Sequence, residues 1–155
     1  MVAEAEAALA DADAILMMTD ADDAAGCLAL DDLVLQRVRA AGKPVFFHVC
    51  GHVAPILADL KQLGVDVVWP QLTAYRLPEL ISSCRDLGLC VELHPDRGDL
   101  MQRGTPAQIR EDVLRLVERF GADRGGSWLY LEVDPGFPWR NVEALFTVAA
   151  QLRGG

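Results

Sequence analysis

The stretch PVFFHVCGHVAPILADLKQLGVDVV, residues 44–68, decides the fold. Its first part, VFFHVC at 45–50, is a short apolar run that reads as a strand. A helix is expected over 53–63, where Pro55 is tolerated because it falls in the first turn. Gly64 ends that helix, and VDVVW at 65–69 reads as the next strand. A strand, a helix and a second strand in so short a span form a βαβ unit, whose strands run parallel.

The same alternation extends in both directions. Toward the N-terminus, an Ala-rich helix is expected over 2–10, and a strand over 14–18 ends in the acidic loop TDADD. A further helix over 30–41 places Leu30, Leu33, Val34, Val38 and Ala41 on one stripe before Gly42 stops it. Toward the C-terminus, a helix begins near Pro78 and runs to Leu87, and LCVELH at 89–94 is a strand. The polar loop PDRGDLMQRG leads into a helix that starts at Thr105. There the sequence Thr105-Pro106-Ala107-Gln108 supplies a cap, a proline at the first helical position and a glutamine three residues after the cap. SWLYLEV at 127–133 is the last strand, and a helix over about 140–152 closes the chain.

Five strands and about six helices in βα order define an α/β fold of parallel strands with crossover helices, one domain spanning residues 1–155. Apolarity on both strand faces fits a sheet covered by helices. Such a set of strands forms either an open doubly wound sheet or the C-terminal half of a (β/α)8 barrel. A free half barrel has two raw edges and calls for a complementing half or a second copy.

The charge balance is acidic, with 14 Lys plus Arg against 23 Asp plus Glu and a net charge of -9. This argues against nucleic acid or an anionic membrane as partner. No apolar run reaches membrane-spanning length, and the start, MVAEAEAALADADA, is acidic where targeting signals are basic, so a cytoplasmic protein is expected. Cys27, Cys50, Cys84 and Cys90 form no CxxC pair and read as reduced thiols. Neither a GxGxxG nor a GxxxxGK[ST] motif is present.

Several residues carry chemistry. His48 and Cys50 alternate onto one face at the C-terminal end of their strand, where α/β proteins place their sites. Zinc accepts imidazole and thiolate together; the same two residues also read as satisfied core side chains. Cys90, Glu92 and His94 alternate onto one face of LCVELH. Glu92 and His94 suit an acid–base pair, metal ligands or a substrate clamp, since a buried unpaired carboxylate is costly; His94 also reads as the start of a loop. Trp69, Gln71 and Tyr75 follow a strand end and could line a flat organic ligand, or serve as ordinary packing.

The segments at 44–68, MQRGTPAQIREDV and GGSWLYLEVDPGFPWRNVEALF occur in the order found in the uroporphyrinogen decarboxylase superfamily. The chain resembles that superfamily from about Ala14 to Leu152, and within it the zinc- and corrinoid-linked methyltransferases. The resemblance implies a (β/α)8 barrel of roughly twice this length, of which this chain supplies the C-terminal half. It places His48 and Cys50 on the first two zinc ligands. The third, a cysteine at the end of the last strand in such enzymes, has no counterpart here, and Glu132, on one strand face with Trp128 and Tyr130, is the best substitute; it also reads as a salt-bridge partner within a barrel interior. Tyr130 is a candidate proton donor. Asp20 resembles an aspartate at a strand end in the family; the preferred reading is a capping and solvation role in an acidic loop. The implied activity is methyl exchange between a zinc-activated thiol or other small-molecule acceptor and a corrinoid carried by a partner protein. One alternative is a decarboxylase-like carboxy-lyase acting on a carboxylated substrate, although that subfamily's Gly-His-Gly element is absent. Another is a non-catalytic or split half barrel that works only with its complement or as a homo-oligomer.

Overall fold

The structure, a computed structural model, describes residues 15–18, 36 and 38–153. The helix expected over 2–10 lies outside these residues, as does most of the one expected over 30–41. The chain divides into two compact units, Met1–Cys90 and Val91–Gly155. Each has parallel strand pairing, with helices in the connections, so the fold is α/β.

In the first unit, strands β1 (Ile15–Met18), β2 (Val45–Val49) and β3 (Val67–Pro70) lie side by side in chain order. The register sets Met18 opposite His48, and His48 opposite Trp69. Helix α1 (Leu57–Leu63) makes the crossover from β2 to β3, and α2 (Leu77–Leu87) follows β3. Val45 and Phe47 of β2 are buried, as are Leu57 and Leu60 of α1 and Leu80 and Cys84 of α2, while the alternate β2 residues Phe46 and His48 are half-buried. Gly64 ends α1 with φ at 91°, and its amide caps the carbonyls of Leu60 and Lys61. Only glycine adopts that conformation without strain.

The helix expected over 53–63 is two pieces. Ala54–Ile56 is a 3₁₀ turn, and the α-helix starts at Leu57 because Ile56, at φ -110° and ψ 6°, leaves the helical region. The strand expected over 65–69 begins two residues later, at Val67. Asp66 instead uses both backbone and side chain to hold Val45: its amide donates to the Val45 carbonyl at 2.9 Å, and its Oδ2 accepts from the Val45 amide at 2.9 Å.

Strand β4 (Cys90–Leu93) begins on the last residue of the first unit and continues into the second, where it pairs with β5 (Ser127–Leu129). Glu92 lies opposite Trp128, and Leu93 opposite Leu129. Helices α3 (Asp99–Arg103), α4 (Pro106–Phe120) and α5 (Trp139–Arg153) complete the unit. Its core is Met101 of α3, Ile109 and Val113 of α4, and Leu145 and Val148 of α5, with Leu129 and Leu131 packed against them. The start of α4 is as read from sequence: Thr105 Oγ1 accepts from the Gln108 amide, and Gln108 Oε1 accepts from the Thr105 amide at 2.9 Å.

Two expectations need correction here. The strand expected over 127–133 pairs only to Leu129, with one further rung from the Tyr130 amide to the Leu93 carbonyl at 2.8 Å. Pro95, two residues past the end of β4, has no N–H to continue the ladder. The segment read as a polar loop contains α3, held by Asp96, whose carboxylate accepts from the amides of Gly98, Asp99 and Leu100. Among the described residues no helix is long and apolar enough to cross a membrane.

Asn141 ties these elements together. It is fully buried, and its Nδ2 donates to the carbonyls of Met101 and Gly104, both at 3.0 Å. Replacing it with alanine removes both bonds and leaves buried acceptors without that donor. Asn141→Ala is therefore expected to lower the unfolding free energy by about 2–3 kcal/mol, read as a lower urea midpoint at unchanged slope.

Candidate functional sites

The C-terminal end of β2 brings His48 and Cys50 together. Cys50 Sγ lies 3.4 Å from His48 Nε2. On the other side of the ring, His48 Nδ1 is 3.1 Å from the Trp69 carbonyl. A carbonyl only accepts, so Nδ1 carries the proton, and Nε2 is the ring nitrogen turned toward the thiol. The Trp69 ring lies against the imidazole, with centroids 3.8 Å apart, and Phe46 meets Trp69 edge-on at 6.4 Å. The Cys50 thiol is exposed.

Tyr75 fixes the turn that follows. Its hydroxyl accepts from the Val53 amide at 2.7 Å and donates to the Gly51 carbonyl at 3.0 Å, and its ring stacks on His52 at 4.7 Å. Tyr75 is thus a positioning residue for the backbone beyond Cys50. His52 is spent on that stack and lies beyond the end of β2.

The donor pair fits two positions of a zinc site. Zinc–sulfur and zinc–nitrogen bonds of ordinary length, arranged tetrahedrally, separate the two donors by roughly 3.5 Å. A backbone acceptor on the far ring nitrogen is also the usual outer support of a ligating histidine. Among the described residues no third His, Cys, Asp or Glu joins them in a metal-binding group. Glu132 belongs to the second unit, where its Oε1 accepts from Arg97 Nη1 at 2.6 Å.

A second cluster lies in the second unit. Glu92 is buried, at 2% exposure, and its Oε2 accepts from the indole Nε1 of Trp128 at 3.1 Å. Burial pushes its carboxyl up to about 7; the Trp128 hydrogen bond opposes this, and the charge of Glu132 adds to it. The phenol of Tyr130 is also pushed up, by burial first and then by Glu132 and Glu92. Arg97 pairs with Glu132 and reaches Asp134 at 3.9 Å. Glu92 can therefore carry a proton near neutral pH while Glu132 sits beside a guanidinium. Two carboxyls in such different surroundings are suited to opposite roles in proton transfer.

The other sequence candidates fall as follows. His94 is buried just past β4, with Nδ1 donating to the Pro95 carbonyl at 3.1 Å. Trp69 serves as a wall of the His48 site. Gln71 is exposed, and its carbonyl accepts from the Ala74 amide in the turn after β3. Asp20 lies outside the described residues. Cys84 is a core thiol, pushed up to about 11 by burial first and by Cys90 second. Sequence reasoning missed Arg97, which lies 35 residues from Glu132 with no pattern linking them. It also missed the Trp128 donor to Glu92; the strand alternation that grouped Trp128 with Glu132 was the available signal.

No protein-family model matches the chain, and no curated protein matches it significantly.

The shift at Glu92 has a definite sign. Its folded-state value, about 7, lies above the ordinary carboxylate value of 4.5, so the neutral form is favoured by folding. Stability from this group is full below the ordinary value and is lost as pH rises through about 7. Glu92→Gln keeps the shape and cannot ionise. The melting temperature of this variant minus that of wild type is expected to grow between pH 5 and 7.5 and then level off, measured by thermal denaturation in a pH series.

Proposed function

We propose that the chain is a methyltransferase-like module that holds zinc through His48 and Cys50. The observation that supports this reading is the 3.4 Å approach of Cys50 Sγ to His48 Nε2, with Nδ1 committed to the Trp69 carbonyl. When bound, zinc supplies Lewis acidity that keeps a thiol acceptor in its nucleophilic thiolate form at neutral pH.

The chain's own residues do the rest. The Trp69 carbonyl fixes the ring and tautomer of His48, and the Trp69 indole covers one face of the imidazole. Cys50 is exposed, so a small acceptor can approach it. Tyr75 holds the Gly51–Val53 backbone so that the thiol keeps its position. In this reading the parallel strands are the C-terminal half of a (β/α)8 barrel in a cytoplasmic enzyme, and the methyl group is exchanged with a corrinoid on a partner protein.

Metal content tests the proposal. Protein purified without chelator and supplied with zinc is expected to hold close to one ion per chain by elemental analysis. His48→Ala and Cys50→Ala are each expected to weaken binding by at least tenfold while keeping the wild-type circular dichroism. Absence of zinc in folded wild type after loading would sink this mechanism for the chain, as would retention in both variants.

A further inference from the structure

Helix α5 buries one side and leaves large aromatic groups bare on the other. Asn141, Val142, Leu145 and Val148 are buried, whereas Trp139 is 76% and Phe146 48% exposed. Seven residues make close to two helical turns, so both aromatics stand on one side of the helix, about 10 Å apart along its axis. Glu143 lies one turn from each. It also lines a groove of about 390 Å³ between α4 and α5, together with Arg140, Thr147 and Val148 of α5 and Ala107 and Arg110 of α4. A lone exposed apolar side chain is ordinary, but an aromatic pair beside a groove is a contiguous feature of the kind that marks an interaction surface.

Charge decides what fits there. The chain carries a net charge of -9, which opposes the approach of a second copy over most of its surface. The groove is an exception, with two arginines and one glutamate. Arg110 Nη1 donates to Gln151 Oε1. The side chains of Arg140 and Glu143 make no ion pair among the described residues, and both are exposed. Their order along the helix is informative. Two copies of α5 side by side and parallel would set Arg140 against Arg140. Two copies antiparallel about a two-fold axis set Arg140 against the partner's Glu143, twice, and Trp139 against the partner's Phe146, twice. The midpoints of the two pairings fall within one residue of each other, beside Val142, so a single axis serves both. A patch that complements itself about a two-fold axis is what a symmetric dimer requires.

We propose that α5 is a homodimerisation surface, on which two copies pack antiparallel through Trp139, Arg140, Glu143 and Phe146. Trp139 of each copy lies against the partner's Phe146 and enters the end of the partner's groove, where Arg110, held by Gln151, offers a guanidinium to the indole face. One helix pair makes a small interface, so the dimer is reversible and its population follows protein concentration. The surface belongs to the second unit alone and uses neither His48 nor Cys50.

Sedimentation equilibrium on the chelator-treated full chain tests this. The mass is expected to rise with concentration from the 16.9 kDa of one chain toward twice that value and no further. Trp139→Ala is expected to weaken association at least tenfold. Arg140→Glu and Glu143→Arg each set like charges opposite one another twice, and each is expected to weaken it about tenfold. The double variant Arg140→Glu/Glu143→Arg restores both pairings and is expected to recover the loss. Arg119→Glu, which changes net charge as Arg140→Glu does but lies outside the groove lining, is expected to leave association near wild type. A single-chain mass at the highest concentration that stays in solution overturns the proposal, and so does a dimer that Trp139→Ala leaves at wild-type strength. Failure of the double variant to recover what the single charge variants lose overturns the antiparallel pairing. Circular dichroism checks that each variant folds; if a charge variant does not, the wild-type mass and Trp139→Ala decide. Zinc plays no part, so failure here leaves the His48–Cys50 reading to its own test.

Discussion

A parallel strand covered by helices on one side sorts its residues by alternation, and the chemistry of this chain depends on that sorting. Val45 and Phe47 are buried with the helices of the first unit, which leaves Phe46 and His48 to the opposite side of β2. Leu93 and Leu129 pair in the second unit, and Leu129 packs on the helical core, so Glu92 and Trp128 share the opposite side. Apolar burial stabilises one face by roughly 25 cal/mol per Å². A one-residue slip would exchange the two sets and place a carboxyl or imidazole in the helix-facing core. The register is therefore the constraint that holds the candidate sites in place.

The two units use a similar device on different groups. In each, a titratable residue sits opposite a tryptophan on the next strand: His48 faces Trp69, and Glu92 faces Trp128. The interactions differ. Trp69 offers its backbone carbonyl and its ring face, which selects one imidazole tautomer and leaves Nε2 to Cys50. Trp128 offers its indole N–H, which satisfies one oxygen of Glu92 and leaves the other buried. One arrangement turns an imidazole nitrogen toward a thiol, and the other holds a proton near neutral pH. That difference follows from the atom each tryptophan presents.

Much of the framework was legible in the sequence because it rests on local signals. The capping pattern at Thr105–Gln108 places the start of α4 to the residue, and Gly64, Gly88 and Gly121 end their helices in the left-handed conformation. The βα alternation gave the parallel arrangement. Where the reading failed, the cause was a hydrogen-bonding group that apolar periodicity does not register. The last strand stops early because Pro95, two residues past the end of β4, cannot donate. The loop after β4 becomes a helix because Asp96 turns back onto three amides. The helix around Pro55 breaks at Ile56, next to a turn that Tyr75 holds from more than twenty residues away.

The pairing of His48 with Cys50 was readable because a period of two is a property of any strand. The grouping of Trp128, Tyr130 and Glu132 assumed a strand over 127–133, whereas the strand ends at Leu129. What only the tertiary structure decided is the state of each group. Arg97 claims one oxygen of Glu132, burial raises Glu92, and the Trp69 carbonyl chooses the protonated nitrogen of His48. The sequence determined which residues share a face, since side-chain alternation follows from local backbone geometry. The structure decided what each of those residues can do, because protonation, tautomer and free hydrogen-bonding capacity depend on neighbours brought in from other strands and loops.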